Sequence, residues 1–270
     1  MLVTDQFDTL RSLIKQNKLI PFVGAGLSMN LGLPSFSQLV DKIAEELGYD
    51  PDVFKLNGNN LQLAEYYVAV KGAIGPLRSL MDRSFDPTKE QIKSSAAHTA
   101  LVQMNLPVIY TTNYDNIIEQ SFELLNKPVY TIANIDDISS APEHATQIVK
   151  FHGTFSDDES LVLTESSYFE RLSFESAIDL KLRADMLGKC LLFIGYSLDD
   201  INIRYMLYKL YKLRQQVKNS RTRSVPSAYL TSFGSGEIQK TLLAQWNVSI
   251  IELDPLNKQE SIEHFLKALI

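Results

Sequence analysis

Leu19-Ile20-Pro21-Phe22-Val23-Gly24-Ala25-Gly26-Leu27-Ser28 is the stretch that settles the fold class. Five apolar residues run into a glycine-rich turn. Phe36, Leu39, Val40, Ile43 and Leu47 then recur at helical spacing, with Pro34 and Ser35 where helix start signals belong. A short apolar run bounded by turn residues reads as a strand buried on both faces, and a strand feeding a helix through glycines opens a parallel α/β unit. Such a turn exposes backbone N–H groups and the positive end of a helix dipole, which suits a phosphate. Ahead of it, Phe7, Leu10, Leu13 and Ile14 mark a first helix.

Working outward, short apolar segments return at 107–111, 129–132, 147–151, 190–194, 228–231 and 248–252. Helical patterns at 116–125, 176–187, 201–217, 237–245 and 259–269 fall between most of them. The alternation predicts an α/β fold, a Rossmann-like parallel sheet with helices on both faces. Residues 48–105 carry no good strand, only helical patterns such as 61–70 and 74–81 separated by Asn/Gly and Asp-Pro breaks, and read as a helical insertion within a single domain over 1–270. No internal repeat and no low-complexity linker interrupts the chain.

Of the 270 residues, 45% are hydrophobic and 21% charged, with 12 Gly and 10 Pro, which excludes a collagenous, low-complexity or disordered chain. The longest apolar stretch, near 190–195, is far short of the roughly 20 residues of a membrane-spanning helix. The opening MLVTDQFDTL carries Asp5 and Asp8 and no basic region, so no signal peptide is expected. The expected location is the cytoplasm, without direct membrane binding. The lone Cys190 makes neither an internal disulfide nor a cysteine zinc site, and His98, His144, His152 and His264 have no helical metal-ligand spacing, so no metal is expected. A net charge of -6 disfavours polyanions over most of the surface. One segment differs: between Arg204 and Arg223 stand Lys209, Lys212, Arg214, Lys218 and Arg221 with no acid, either a solvated helix end or a binding patch.

In a parallel α/β sheet, ligands bind outside the carboxyl ends of the strands. Four polar clusters fall there: Gly24-Ala25-Gly26-Leu27-Ser28, Thr111-Thr112-Asn113-Tyr114-Asp115, His152-Gly153, and Gly195-Tyr196-Ser197-Leu198-Asp199-Asp200. A nucleotide is the default ligand. The dehydrogenase fingerprint fails, because Met29 stands where its third glycine belongs and the acids about 20 residues on, Asp41, Glu45 and Glu46, lie on a helix. No Gly-Lys-Ser/Thr follows the turn, so the P-loop reading fails as well.

The four clusters in this order, with Gly32-Leu33-Pro34 after the first, resemble the sirtuin catalytic domain over roughly residues 19–203. The resemblance implies that the glycine turn binds the NAD pyrophosphate, that Asn113, Asp115 and His152 surround the nicotinamide ribose, and that the fourth cluster lines the adenosine side. On that basis Asn113, His152 and Asp115 are the expected catalytic residues. Gly24, Ala25, Gly26, Ser28, Phe36, Thr112, Gly195 and Ser197 are the expected contacts to NAD, with no metal.

The departures are specific. Protein deacylases of the family carry a four-cysteine zinc ribbon and a Phe-Gly-Glu segment between the third and fourth clusters; this chain has only Cys190 there. Ser35 and Ser37 flank Phe36 where the family has an acid and an arginine. The chain therefore resembles the zinc-less, sirtuin-like NAD hydrolases of bacterial anti-phage defence, with Tyr114, Tyr196, Asp199-Asp200 and Leu163-Thr164-Glu165 before Tyr168 fitting that branch. Because it ends at Ile270 without a fused sensor domain, the expectation is the stand-alone type paired with a HerA-like ATPase, a homo-oligomer that meets nucleic acid only through that partner.

Nicotinamide leaves a cationic pyridinium as a neutral molecule, so the reaction needs no general acid, unlike ordinary glycoside hydrolysis. Asn113 can orient water or ribose hydroxyls, His152 with a pKa near neutrality can take a proton, Asp115 can hold the ribose or its neighbours, and Phe36 can shield the reactive face. Two other readings stay open: a deacylase or ADP-ribosyltransferase using the same pocket, and a non-catalytic module that binds NAD or ADP-ribose. Asp199 and Asp200 read equally as caps of the following helix, and Tyr205, Tyr208 and Tyr211 as helix packing or a subunit interface.

Overall fold

The computed structural model describes residues 3–28, 31–84, 86–196, 201–215 and 225–270. Among them seven strands pair in parallel: β1 (Leu19–Val23), β2 (Val108–Thr111), β3 (Val129–Ile132), β4 (Thr146–Lys150), β5 (Cys190–Ile194), β6 (Ala228–Ser232) and β7 (Val248–Glu252). Their spatial order is β3-β4-β2-β1-β5-β6-β7. Helix α1 (Val3–Lys15) precedes β1, and α2 (Phe36–Leu47), α3 (Pro51–Lys55), α4 (Asn60–Lys71), α5 (Gly75–Asp82), α6 (Lys89–Ser94) and α7 (Ala96–Gln103) fill the long connection to β2. Then α8 (Ile117–Leu124) leads to β3, α9 (Ile135–Ser140) to β4, α10 (Glu165–Leu172) and α11 (Ala177–Asp185) to β5, α12 (Ile201–Gln215) to β6, α13 (Glu237–Gln245) to β7, and α14 (Lys258–Lys267) follows.

The central strands β1, β2, β5 and β6 are buried throughout, and side chains alternate between two cores as a pleated strand requires. Leu19 and Val23 of β1, with Leu192 and Ile194 of β5, pack against Leu10, Leu101, Phe122 and Phe265 of α1, α7, α8 and α14. Ile20 and Phe22, with Leu191 and Phe193, pack against Ile178 and Leu182 of α11, Met206, Leu207 and Leu210 of α12 and Leu243 of α13. Four helices hand over to strands through an asparagine with positive φ: Asn17, Asn105, Asn126 and Asn247. Asparagine adopts this left-handed helix stop more readily than residues other than glycine.

Three helices shift the emphasis of the sequence reading. On α12 the buried residues are Met206, Leu207 and Leu210, while Tyr205 and Tyr211 are half-buried and Tyr208 is exposed with its ring edge-on to Trp246 at 5.8 Å. The helices α9 and α10 were not legible from periodicity, since each is under three turns long. Capping boxes at Asn134/Asp137 and Thr164/Ser167 start them.

Residues 48–105 hold helices and no strand among those described, and the apolar clusters divide them. Phe54, Leu63, Ala64, Tyr67, Leu77 and Met81 share a core with Leu39, Val40 and Ile43 of α2 and with Leu161 and Leu163. By contrast Ala97, Ala100 and Leu101 of α7 belong to the core under the sheet. The helical module thus extends back to α2 and is clasped from below by the segment after β4. Ser166 donates from its backbone N–H and its hydroxyl to Glu65, and Arg78 pairs with Asp158 at 3.0 Å.

Candidate active site

The chain leaves β1 toward β2, β4 and β3 on one side, then crosses to build β5, β6 and β7 on the other. The switch in direction leaves a crevice at the carboxyl end of β1. Register puts Val23 level with Thr111 and Ile194, and Thr111 level with Lys150. The four sequence clusters therefore emerge at one height.

The first and fourth clusters interlock. Gly24 N–H donates to Ile194 O at 2.8 Å and Gly26 N–H to Gly195 O at 3.0 Å. A Cβ on Gly26 would lie 2.6 Å from Gly195 Cα, and one on Gly195, which has φ +77°, would lie 2.6 Å from the Leu27 nitrogen. Only glycines allow two backbones this close. Tyr196 crosses the seam: its hydroxyl donates to Val23 O at 2.9 Å and lies 3.0 Å from Thr112 Oγ1.

The second cluster is pinned from beneath. Thr111 Oγ1 donates to Val23 O at 2.9 Å and accepts from Asn113 N–H at 3.0 Å. Asn113 Nδ2 donates to Gly24 O at 3.4 Å and to Ser28 Oγ at 3.3 Å. Because a carbonyl only accepts, the contact to Gly24 fixes the amide orientation. Asn113 Oδ1 is then buried without a hydrogen-bond partner, a costly state unless a bound molecule supplies the donor.

His152 lies at the far wall, buried, with its ring edge-on to Tyr168 at 5.2 Å and its carbonyl accepting from Val162 N–H at 2.9 Å. Burial, aided by the nearby Arg171 guanidinium, pushes its pKa down to about 3. This corrects the expectation of a value near neutrality: a histidine after a strand is read as solvated, but this one sits behind an aromatic wall. Arg171 stacks 4.1 Å over the Phe151 ring and pairs with the buried Asp179 at 3.3 Å. The imidazole is therefore neutral at physiological pH.

Asp115 accepts from Ile117 N–H at 3.1 Å, opening α8. Burial pushes its carboxyl above the usual carboxylate range, and the Lys150 ammonium pulls it back. Lys150 is fully buried, pairs with Glu119 at 2.8 Å and donates to the backbone carbonyl of Asp115.

These groups meet in one pocket of about 260 Å³ lined by Ala25, Ser28, Thr112, Asn113, Asp115, His152 and Gly195, with Leu33, Pro34, Phe36 and Met81 closing it from the helical module. Gly24 and Gly26 pack below the wall rather than on it. Ser197, Leu198, Asp199 and Asp200 lie outside the described residues, as do Lys218, Arg221 and Arg223. Sequence reasoning missed Met81, Arg171 and the Lys150–Glu119 pair. The signal available for Lys150 was a charge between the apolar residues Ile148, Val149 and Phe151. Among the described residues no group of three His, Cys, Asp or Glu side chains could hold a metal ion, and no helix is long and apolar enough to cross a membrane.

The two buried histidines set an acid limit on stability. His98, with Ser95 Oγ at 2.7 Å from its Nδ1, is pushed by burial down to about 4. Unfolded histidines titrate near ~6.5, so as pH falls below that value the unfolded chain gains protons that the folded chain refuses. Between about pH 6.5 and 4 the two together should remove up to about 2.7 kcal/mol of stability per pH unit. Asp115 opposes this, since its raised folded value lets the folded state take up a proton first as pH falls through it. Urea midpoints measured from pH 7 to 4.5 should fall steadily, and His98→Asn should halve the slope. A midpoint flat down to pH 5 would contradict the neutral assignment.

A parallel sheet with helices on both faces and a polar pocket at its switch point defines a Rossmann-like α/β domain. Within that class the chain belongs to the SIR2-like domain family, whose pattern matches residues 107–251. The match takes in Asn113, Asp115, His152 and Gly195; the glycine turn precedes it and is tied in through β1. Among curated proteins the chain is 32% identical over 69% of its length to "NAD(+) hydrolase ThsA" of Enterococcus faecium, covering 38% of that protein. It is 29% identical over 75% of its length to the protein of the same name from Bacillus cereus, covering 42%, and 28% identical over 74% to "Defense-associated sirtuin 2" of Bacillus subtilis, covering 20%. The chain thus spans about two fifths or less of each of these relatives.

Proposed function

We propose that the protein is an NAD glycohydrolase that cleaves NAD to nicotinamide and ADP-ribose as an effector of anti-phage defence. The observation that carries this reading is the convergence of Asn113, Asp115 and His152 with the Ala25-to-Ser28 turn on one pocket at the switch point. Similarity to proteins named as NAD hydrolases and as a defence-associated sirtuin supports it.

In this reading the bond from ribose C1′ to the pyridinium nitrogen breaks, its electron pair goes to that nitrogen, and nicotinamide departs neutral. The oxocarbenium-like ribose left behind is stabilised by the Asp115 carboxylate and by the absence of charge on His152. Water bonds to C1′, oriented by the unpartnered Asn113 Oδ1 and the neutral His152 imidazole, and its proton passes to solvent. The pyrophosphate lies against Ala25 and Ser28, the residues of the glycine turn that line the pocket.

The test is nicotinamide release by purified protein. Release should proceed unchanged, with an unchanged melting temperature, in the presence of chelator. An added acyl-lysine peptide should not be consumed; consumption in step with NAD would make the deacylase reading the better one. The same reading includes a homo-oligomer restrained by a HerA-like ATPase, because an ungated hydrolase drains its own cell. The outer face of α12, with Tyr208 and Lys212 exposed, is the surface assigned to contact. Mass in solution and NAD turnover, with and without the ATPase, check this; a fully active monomer indifferent to the partner would defeat it.

A further inference from the structure

Among the described residues one lysine is completely buried, and it lies directly behind the pocket. Lys150 closes β4 two residues before His152, in the same row as Thr111 and Val23. Its ammonium has two partners: the Glu119 carboxylate on α8 at 2.8 Å, and the backbone carbonyl of Asp115 on the loop that carries Asn113. Thr131 on β3 reaches the same Glu119 oxygen at 3.4 Å, and Glu119 Oε2 is buried without a partner. A buried ion pair is by itself weak support for stability, since desolvation offsets its attraction. An apolar pair would fill that space at less cost. What the lysine supplies, and an apolar residue could not, is a hydrogen bond to the second-cluster loop and a positive charge beneath a carboxyl that lines the pocket.

We infer that Lys150 is a positioning residue for NAD cleavage, holding the 113–116 loop by the Asp115 carbonyl and placing its positive charge beneath the pocket-lining Asp115 side chain. The inference rests on the reading of the pocket as an NAD-cleaving site. The charged groups that act on Asp115 are Lys150 from β4, which favours its ionised form, and Glu119 from α8, which opposes it. His152, on the residues after β4, is neutral. The lysine acts against both burial, the largest influence, and the neighbouring glutamate, so its charge rather than its bulk is the operative feature.

Three proteins separate the positioning role from a merely structural one: the wild type, Lys150→Met, and the double variant Lys150→Met/Glu119→Gln. Asp115 titration is followed by carboxyl-carbon NMR, assigned by its loss in Asp115→Asn, together with amide exchange at 113–116 and NAD kinetics. In Lys150→Met the Asp115 titration should move up by about one pH unit or more, as removal of a close opposite charge predicts. Loop exchange should quicken, and KM should rise on the acid side of the pH profile, by up to about tenfold for a shift of one pH unit. The double variant, which carries no stranded carboxylate, should regain the melting temperature yet keep the raised Asp115 titration and the raised KM. It also serves if Lys150→Met does not fold. A double variant with wild-type titration, exchange and KM would overturn the inference, leaving Lys150 as the neutraliser of Glu119 alone. If the wild type releases no nicotinamide, the reading of the pocket falls, and titration and exchange still decide what Lys150 does.

Discussion

Asn113→Ala and His152→Ala should each reduce nicotinamide release by about 100-fold to 10,000-fold, the usual cost of losing a positioned proton acceptor or polar group in a transition state. Both side chains end in the pocket, and Asn113 Oδ1 has no partner that its removal would orphan. The folded state should survive, though Asn113→Ala releases Ser28 Oγ and Gly24 O from a hydrogen bond each. NAD binding should weaken far less than turnover, because the glycine turn, Phe36 and Thr112 are untouched. That split distinguishes a catalyst from a module that only binds NAD. The pH profile adds a second check: with His152 held down to about 3, the wild-type rate should show no histidine step near pH 6.5. Isothermal NAD titration beside a nicotinamide assay reads both quantities, and near-normal release by either folded variant removes that residue from the mechanism.

The sheet was legible because its central strands β1 and β5 are short, wholly apolar runs that end in glycine. Leu19 to Val23 and Cys190 to Ile194 announce both their length and their burial, so strand ends and the clusters beyond them could be placed without coordinates. The pocket followed from topology, since polar groups at serial strand ends must converge. Electrostatic state was not legible. A histidine in sequence has no wall, and only the packing of Tyr168, Phe151 and Arg171 around His152 determines that it stays uncharged. Lys150 and Glu119 were hidden for a related reason: 31 residues separate them in the chain, and their pairing depends on β4 and α8 lying on the same side of Thr111. The helical module likewise shares its core with Leu161 and Leu163, a union that no local pattern encodes.

The contact between the two glycine turns should prove as sensitive as Asn113 and His152, and three single substitutions resolve why. Gly195→Ala places a side chain in a left-handed conformation, which costs about 1–2 kcal/mol, and also drives a Cβ to 2.6 Å from the Leu27 nitrogen. Gly188→Ala imposes the same left-handed cost at φ +74°, yet nothing lies within 4 Å of its Cβ. Gly26→Ala has no such conformational cost, but its Cβ lies 2.6 Å from Gly195 Cα. The obstructing atoms are backbone on both sides, so relief requires that one turn move away from the other. Moving the first turn displaces Ala25 and Ser28 from the pocket wall and loosens the Gly24 carbonyl that orients Asn113. Gly188→Ala should therefore lower the melting temperature by only about 2–6 °C and leave NAD cleavage intact. Gly26→Ala should lose NAD binding and turnover together. Gly195→Ala should do the same with the largest drop in melting temperature of the three. If Gly26→Ala bound and cleaved NAD like the wild type, close approach of the turns would not be what shapes the phosphate site.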